Sequence, residues 1–210
     1  MEHSLLIYPN LLKYIKEVIV ASDQIDEVRK DKLKEIASFI LHKKQASQTA
    51  NLTFICTHNS RRSHLCQIWA ATAAAYYGVE DDIQTFSGGT EVTAFNHRAV
   101  AAIKRCGFYV ENSTGENPHY KVHYSEVKKA LECFSKKYDD DFNANENFLA
   151  IMTCSEADKD CPFIPGASMR VSTPYFDPKE SDDTDQETIV YDARCRQIAT
   201  EMFYLMSQIQ

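Results

Sequence analysis

A thiol followed six positions later by a guanidinium is the most reactive pattern in this chain. The stretch FICTHNSRRSH runs from Phe54 to His64, with Cys56 and Arg62 separated by five residues and Ser63 directly after the arginine. Sulfur attacks as the thiolate. A loop between a strand and a helix favours that form, because backbone N–H groups converge on its centre and the helix N-terminus adds partial positive charge. Arg62 can hold two oxygens of a tetrahedral oxyanion in a bidentate grip, and the Ser63 hydroxyl can donate to the sulfur. Thr57, His58, Asn59, Ser60 and Arg61 complete the loop. These residue types suit attack by sulfur on the central atom of an oxyanion. The rival reading is a buried structural cysteine followed by two surface arginines.

Two further thiols, Cys154 and Cys161, enclose the polar stretch SEADKD, which is expected to be mobile. Zinc would need two more ligands, and no short Cys/His pair stands nearby, so no metal and no cofactor are expected. Asp177 precedes Pro178. Taken alone it is one carboxylate among several, with Asp182, Asp183 and Asp185 close behind. Cys66, Cys106, Cys133 and Cys195 sit on apolar helical faces or in an irregular stretch and read as packing residues, as does Trp69.

The elements that must hold these groups alternate. LTFIC (52–56) reads as a short buried strand, and SHLCQIWAATAAAYYG as a helix ended by Gly78. IQTFSGG is a second strand, AFNHRAVAAIKRCG a second helix stopped by Gly107, FLAIMTC (148–154) a third strand and MRVSTPYF a weaker fourth. The segment 188–209 closes the chain as an amphipathic helix, with Ile189, Ala193, Ile198, Met202 and Leu205 expected inward. Such alternation implies an α/β fold: a parallel sheet with helices on both faces and ligands beyond the carboxyl ends of the strands. Cys56 and Cys154 both fall at such ends.

Two stretches stand outside the alternation. Residues 1–48 read as a helical extension: Pro9 can open one helix, and Asp23 can cap another that carries Ile25, Val28, Leu33, Ile36 and Ile40 on one face. Residues 49–210 form the α/β domain, with an insertion at about 109–147 containing a hairpin and a polar loop. Lysine and arginine total 23 against 30 acidic residues, a net charge of −7, which disfavours general nucleic-acid binding. No apolar run is long enough to span a membrane and no signal peptide is evident, so a cytoplasmic protein is expected, its seven cysteines kept as thiols.

CTHNSRRS, SGGTE, IMTCSEADKDCP and FDP, in this order, resemble the low-molecular-weight protein tyrosine phosphatase superfamily, and within it the thioredoxin-coupled arsenate reductases. The resemblance covers roughly 51–208. It implies a flavodoxin-like sheet, with Cys56 as nucleophile, Asn59 shaping the loop, Arg62 gripping the oxyanion, Ser63 tuning the thiolate and Asp177 as general acid. It also implies a relay in which Cys154 attacks Cys56 and Cys161 carries the disulfide outward to thioredoxin. The alternative within the superfamily is a phosphatase acting on phosphotyrosine or aryl phosphates through a phosphocysteine. Phosphatases of the superfamily do not need the second cysteine pair, and they tend to carry tyrosines after the Asp-Pro, where this chain has Lys179 and Glu180. His58 stands where the family usually has glycine, and Arg61 where it often has cysteine, so an unusual backbone is expected at His58.

Overall fold

Four strands pair in parallel in the computed structural model, which describes residues 6–111 and 113–209. Residues 1–5 of the expected extension, Asn112 of the expected insertion and Gln210 lie outside the described residues. The strands are β1 (Ala50–Cys56), β2 (Ile83–Gly89), β6 (Phe148–Met152) and β7 (Ala167–Ser172), in the spatial order β2-β1-β6-β7. The register sets Cys56 beside Gly89 and Ile55 beside Met152, so β1, β2 and β6 end together at one edge.

Side chains alternate across the sheet even though β1 and β6 are almost wholly buried. Leu52, Phe54, Leu149 and Ile151 enter a large core built with the helices, whereas Ile55, Phe148, Ala150 and Met152 enter a smaller one. The large core holds α3 (Arg62–Tyr77) and α6 (Glu187–Ser207), with Trp69 fully buried between aromatic neighbours Phe108 and Phe203. Helix α4 (His97–Cys106) starts at its cap Asn96 and stops at Gly107, whose φ of 106° is a left-handed value that suits glycine. The opposite face is covered by the six-residue α5 (Ser155–Asp160), through Ala157, and by Tyr138, Ala144 and Ile164 from irregular segments. Helices thus lie on both faces, but unequally.

Helix α1 (Pro9–Ala21) buries Leu11, Ile15 and Val18, and α2 (Glu27–Gln45) buries Leu33, Ile36, Phe39 and Ile40, in the same core as α6. The cap of α2 is Asp26, whose carboxylate accepts from Arg29 N–H at 2.9 Å, and not Asp23, which lies in a short 3-10 turn. The helix therefore starts after Ile25, and Val28 on its first turn is exposed. The closing helix differs from expectation in its first two turns only. Ile189 and Ala193 face outward, while Tyr191, Cys195, Ile198, Met202 and Leu205 form the buried seam. The buried positions follow an unbroken spacing of three and four residues, which Tyr191 and Cys195 continue back from Ile198, Met202 and Leu205 and which Ile189 and Ala193 break.

The stretch 109–147 folds as a three-stranded antiparallel sheet, β3 (Tyr109–Val110), β4 (Tyr120–His123) and β5 (Leu131–Cys133), followed by irregular chain. SEADKD, expected to be mobile, is α5; the Cys154 sulfur, accepting from Ala157 N–H at 3.4 Å, forms its N-cap. Among the described residues no helix is long and apolar enough to cross a membrane.

Candidate active site

The loop from Cys56 to Ser63 leaves the end of β1 and runs straight into α3, as a strand followed by an unbroken helical pattern requires. One residue in it takes a left-handed backbone, and it is Asn59, with φ 43°, not His58. Asparagine tolerates this region because its short amide bonds locally. Here the Asn59 amide nitrogen donates to Ser63 Oγ at 2.8 Å, and its oxygen accepts from Lys136 N–H at 2.9 Å. Ser63 Oγ in turn lies 3.1 Å from Cys56 Sγ. With Asn59 donating to its oxygen, the Ser63 hydroxyl keeps one proton that it can give to the sulfur. All three side chains are buried.

The loop backbone is held from outside. Thr57 carbonyl oxygen accepts from Glu91 N–H at 2.8 Å and Thr90 Oγ1 at 3.2 Å. His58 carbonyl oxygen accepts from Ser135 Oγ at 2.9 Å and Thr93 Oγ1 at 3.2 Å, and Ser60 carbonyl oxygen accepts from Asn96 N–H at 2.8 Å. The two glycines of SGG are explained by the same crowding. A Cβ on Gly88 would come within 2.3 Å of the Tyr138 backbone, and one on Gly89 within 2.7 Å of Asn59 N. Residues 135–138, inside the stretch expected to be an insertion, therefore underlie the loop.

Arg62 is buried and fixed on three sides. Its Nη1 donates to Tyr175 carbonyl oxygen at 2.9 Å and lies 3.8 Å from Glu156; its Nη2 donates to Asp177 Oδ2 at 2.6 Å. Its Nε–H, fully buried, has no hydrogen-bond partner among the described residues. A buried charged donor without a partner is costly. Arg62 and the carboxylate of Asp177 are thus brought together, and Asp177 is set by its own carboxylate accepting from Lys179 N–H at 3.0 Å. Arg61 turns away from the loop. Its Nε donates to Tyr191 Oη at 2.7 Å and its Nη2 to Asp182 Oδ2 at 3.1 Å, so it fastens the loop to α6 and the segment after Asp177. His58 is at the rim, 3.4 Å from Glu91.

Cys154 lies two residues past the end of β6, not at the end of the strand as expected, with its sulfur 3.5 Å from Thr57 Oγ1, the side chain next to Cys56. Burial pushes the Cys154 thiol up, against the lowering effect of its bonds to Thr57 and the Ala157 N–H and of the nearby Arg62. Cys161 is at the far end of α5 and partly exposed. The remaining cysteines, Cys66, Cys106, Cys133 and Cys195, are buried in the large core.

Tyr175, Glu156, Asp182 and Tyr191 were not singled out from sequence as site residues. Asp182 read as one of a run of solvated carboxylates, and nothing local distinguishes a tyrosine whose carbonyl receives an arginine from distant chain.

No family model matches the chain. Curated relatives include arsenate reductase 2 of Staphylococcus epidermidis, 28% identical over 125 residues, which cover 60% of this chain and 76% of the relative. The arsenate reductase of Staphylococcus aureus strain Newman is 31% identical over 112 residues, covering 53% of this chain and 66% of the relative. The chain is similar in sequence to curated arsenate reductases. Among solved structures, a low-molecular-weight phosphotyrosine phosphatase of Vibrio cholerae O395 aligns with a TM-score of 0.49 at 14% identity, over 74% of this chain and 94% of that one. A thioredoxin-dependent arsenate reductase of Corynebacterium glutamicum aligns with a TM-score of 0.40 at 19% identity, over 89% and 81%.

Proposed function

We propose that this protein reduces arsenate to arsenite through Cys56, Cys154 and Cys161, with thioredoxin as the final reductant. The observation that carries the reading is the position of Cys154, a second thiol at the rim of an oxyanion loop, 3.5 Å from the residue beside the nucleophile. The loop backbone of 57–63 and the free Nε–H of Arg62 would hold the oxyanion. The Cys56 thiolate attacks arsenic, and one arsenate oxygen leaves as water with a proton supplied by Asp177. Cys154 then attacks Cys56 Sγ; the sulfur–arsenic bond breaks and its electron pair stays on arsenic, which departs as arsenite. Two thiols become one disulfide while arsenic gains two electrons. Cys161 next attacks Cys154, freeing Cys56, and the Cys154–Cys161 disulfide is reduced by the dithiol of thioredoxin.

The geometry sets a condition on the last exchange. Cys154 and Cys161 cap the two ends of the six-residue α5, and seven steps along the chain at the usual helical rise separate their Cα atoms by about 10 Å. A disulfide needs Cα atoms within about 7 Å. Helix α5 must unwind for Cys161 to reach Cys154.

The second reading is a phosphatase, and the pairing of Asp177 with Arg62 favours it equally, since a phosphocysteine route needs the same acid and the same grip. Cys161→Ser separates the two. Arsenate reduction by thioredoxin is expected to stop after a single turnover, with mass spectrometry finding a trapped Cys56–Cys154 disulfide, while hydrolysis of aryl phosphate continues. A wild-type protein that releases no arsenite with reduced thioredoxin but hydrolyses phosphotyrosine efficiently would overturn the reductase reading.

A further inference from the structure

The segment carrying Asp177 is held by a residue from outside the region of resemblance. Helix α2 begins at Glu27, and on its first turn Arg29 reaches across the molecule. Its Nη2 donates to Pro174 carbonyl oxygen at 2.6 Å. Its Nε lies 3.3 Å from Glu201 Oε2 on α6, and its guanidinium carbon lies 4.8 Å over the ring of Tyr175. Tyr175 is buried, and its hydroxyl donates to the same Glu201 oxygen at 2.6 Å. Gln197 donates to the other oxygen of Glu201 at 3.0 Å. On the inner side, Tyr175 N–H donates to Thr153 carbonyl oxygen at 3.1 Å and its own carbonyl accepts from Arg62. The chain from Pro174 to Asp177 is therefore clamped between the oxyanion loop and α2.

We propose that Arg29 is a positioning residue for the general acid, holding Pro174 and Tyr175 so that Asp177 stays against Arg62; this rests on the acid role assigned to Asp177 above. Three features of the contact require arginine. One fork reaches a carbonyl and a carboxylate at once, its flat face covers an aromatic ring, and it retains its charge beside a carboxylate in a poorly hydrated site. Glu201 is buried, and burial pushes its carboxyl up, with Arg29 the largest influence in the opposite direction. Without Arg29, Glu201 is a buried charge lacking its cation, and Pro174 carbonyl loses a charged donor. The N-terminal helices thereby join the catalytic apparatus without contributing a group to the chemistry.

The test pairs a structural readout with a chemical one on the full chain, using Arg29→Ala, the charge-keeping Arg29→Lys, and Glu201→Gln. In Arg29→Ala, amide exchange across 173–182 is expected to rise by about tenfold while α3 is unchanged. For kcat/KM, phenyl phosphate, whose leaving group needs the acid, is expected to fall by about tenfold more than 4-nitrophenyl phosphate, whose leaving group does not. Arg29→Lys and Glu201→Gln should fall between wild type and Arg29→Ala on both measures. A general loss of folding would lower both substrates together. Unchanged exchange in 173–182, or equal losses on the two esters, would overturn the proposal. If the wild type hydrolyses neither ester, the acid role of Asp177 in ester cleavage is what fails, and the exchange measurement by itself decides whether Arg29 holds the segment.

Discussion

Two cysteine-bearing loops leave the same edge of the parallel sheet, one after β1 and one after β6, and they are held in opposite ways. The loop after β1 has the carbonyl oxygens of Thr57, His58 and Ser60 and the side chain of Asn59 all bonded to neighbouring segments. The loop after β6 is the short helix α5, which buries only Ala157 and is tied down chiefly by Asp158, through Arg170 and through Ser172 Oγ at 2.8 Å. Oxyanion chemistry needs donors fixed before the charge develops, since a donor that must reorganise loses much of its advantage. A thiol relay needs the reverse, because the second and third sulfurs must change partners over a distance that the folded helix forbids. One site therefore places a braced loop beside a loosely fastened one.

The contrast can be broken from either side. The largest effect belongs to the braced half: Asp177→Asn should reduce kcat/KM for phenyl phosphate by about two orders of magnitude, the usual scale for losing a general acid. An unchanged rate would take Asp177 out of the mechanism and leave its bond to Arg62 as structure alone.

The relay should then reveal itself through pH. Cys154 is a buried thiol whose ionisation is pushed upward, so near neutral pH its thiolate is a small fraction that grows with each unit of rise. In Cys161→Ser mixed with arsenate, the rate of Cys56–Cys154 disulfide formation should increase by about tenfold per pH unit between pH 7 and 8. A flat profile over that interval would mean that Cys154 is already ionised when it attacks.

The smallest effect tests the fastening of α5. Asp158→Asn keeps the shape but weakens the charged contact with Arg170, a half-exposed pair of the kind worth about 1 kcal/mol or less. Amide exchange in 155–161 should quicken by about three- to fivefold, with the loop at 56–63 unaffected. Equal quickening in both loops would show that they are one cooperative unit and that the contrast is false.

Much of the first half of this comparison was legible in the chain. Strand, thiol, polar loop and helix follow one another within Leu52–Tyr77, and each is specified by residues a few positions apart, by apolar runs and a glycine stop at Gly78, although the left-handed residue of the loop is Asn59 and not His58. The order of chemical groups in the oxyanion loop could be read from local pattern because hydrogen bonds and side-chain periodicity within one element act over three or four residues, whereas Asp177 stood out only through the resemblance to a family. Even there local pattern misplaced a helix start, at Asp23 in place of Asp26, and the first two turns of the α6 seam, where apolar Ile189 and Ala193 face outward and Tyr191 and Cys195 are buried.

What tertiary structure alone decided is which distant groups meet. Arg61 and Asp182 are 121 positions apart, Arg29 and Pro174 are 145, and residues 135–138 pass beneath a loop nearly eighty positions earlier. No local rule selects one carboxylate from Asp177, Asp182 and Asp183 for a given arginine. That choice depends on how the sheet orders its strands and where each connection returns, since closing a long loop costs little more than closing a short one, and burial of the shared core settles the arrangement.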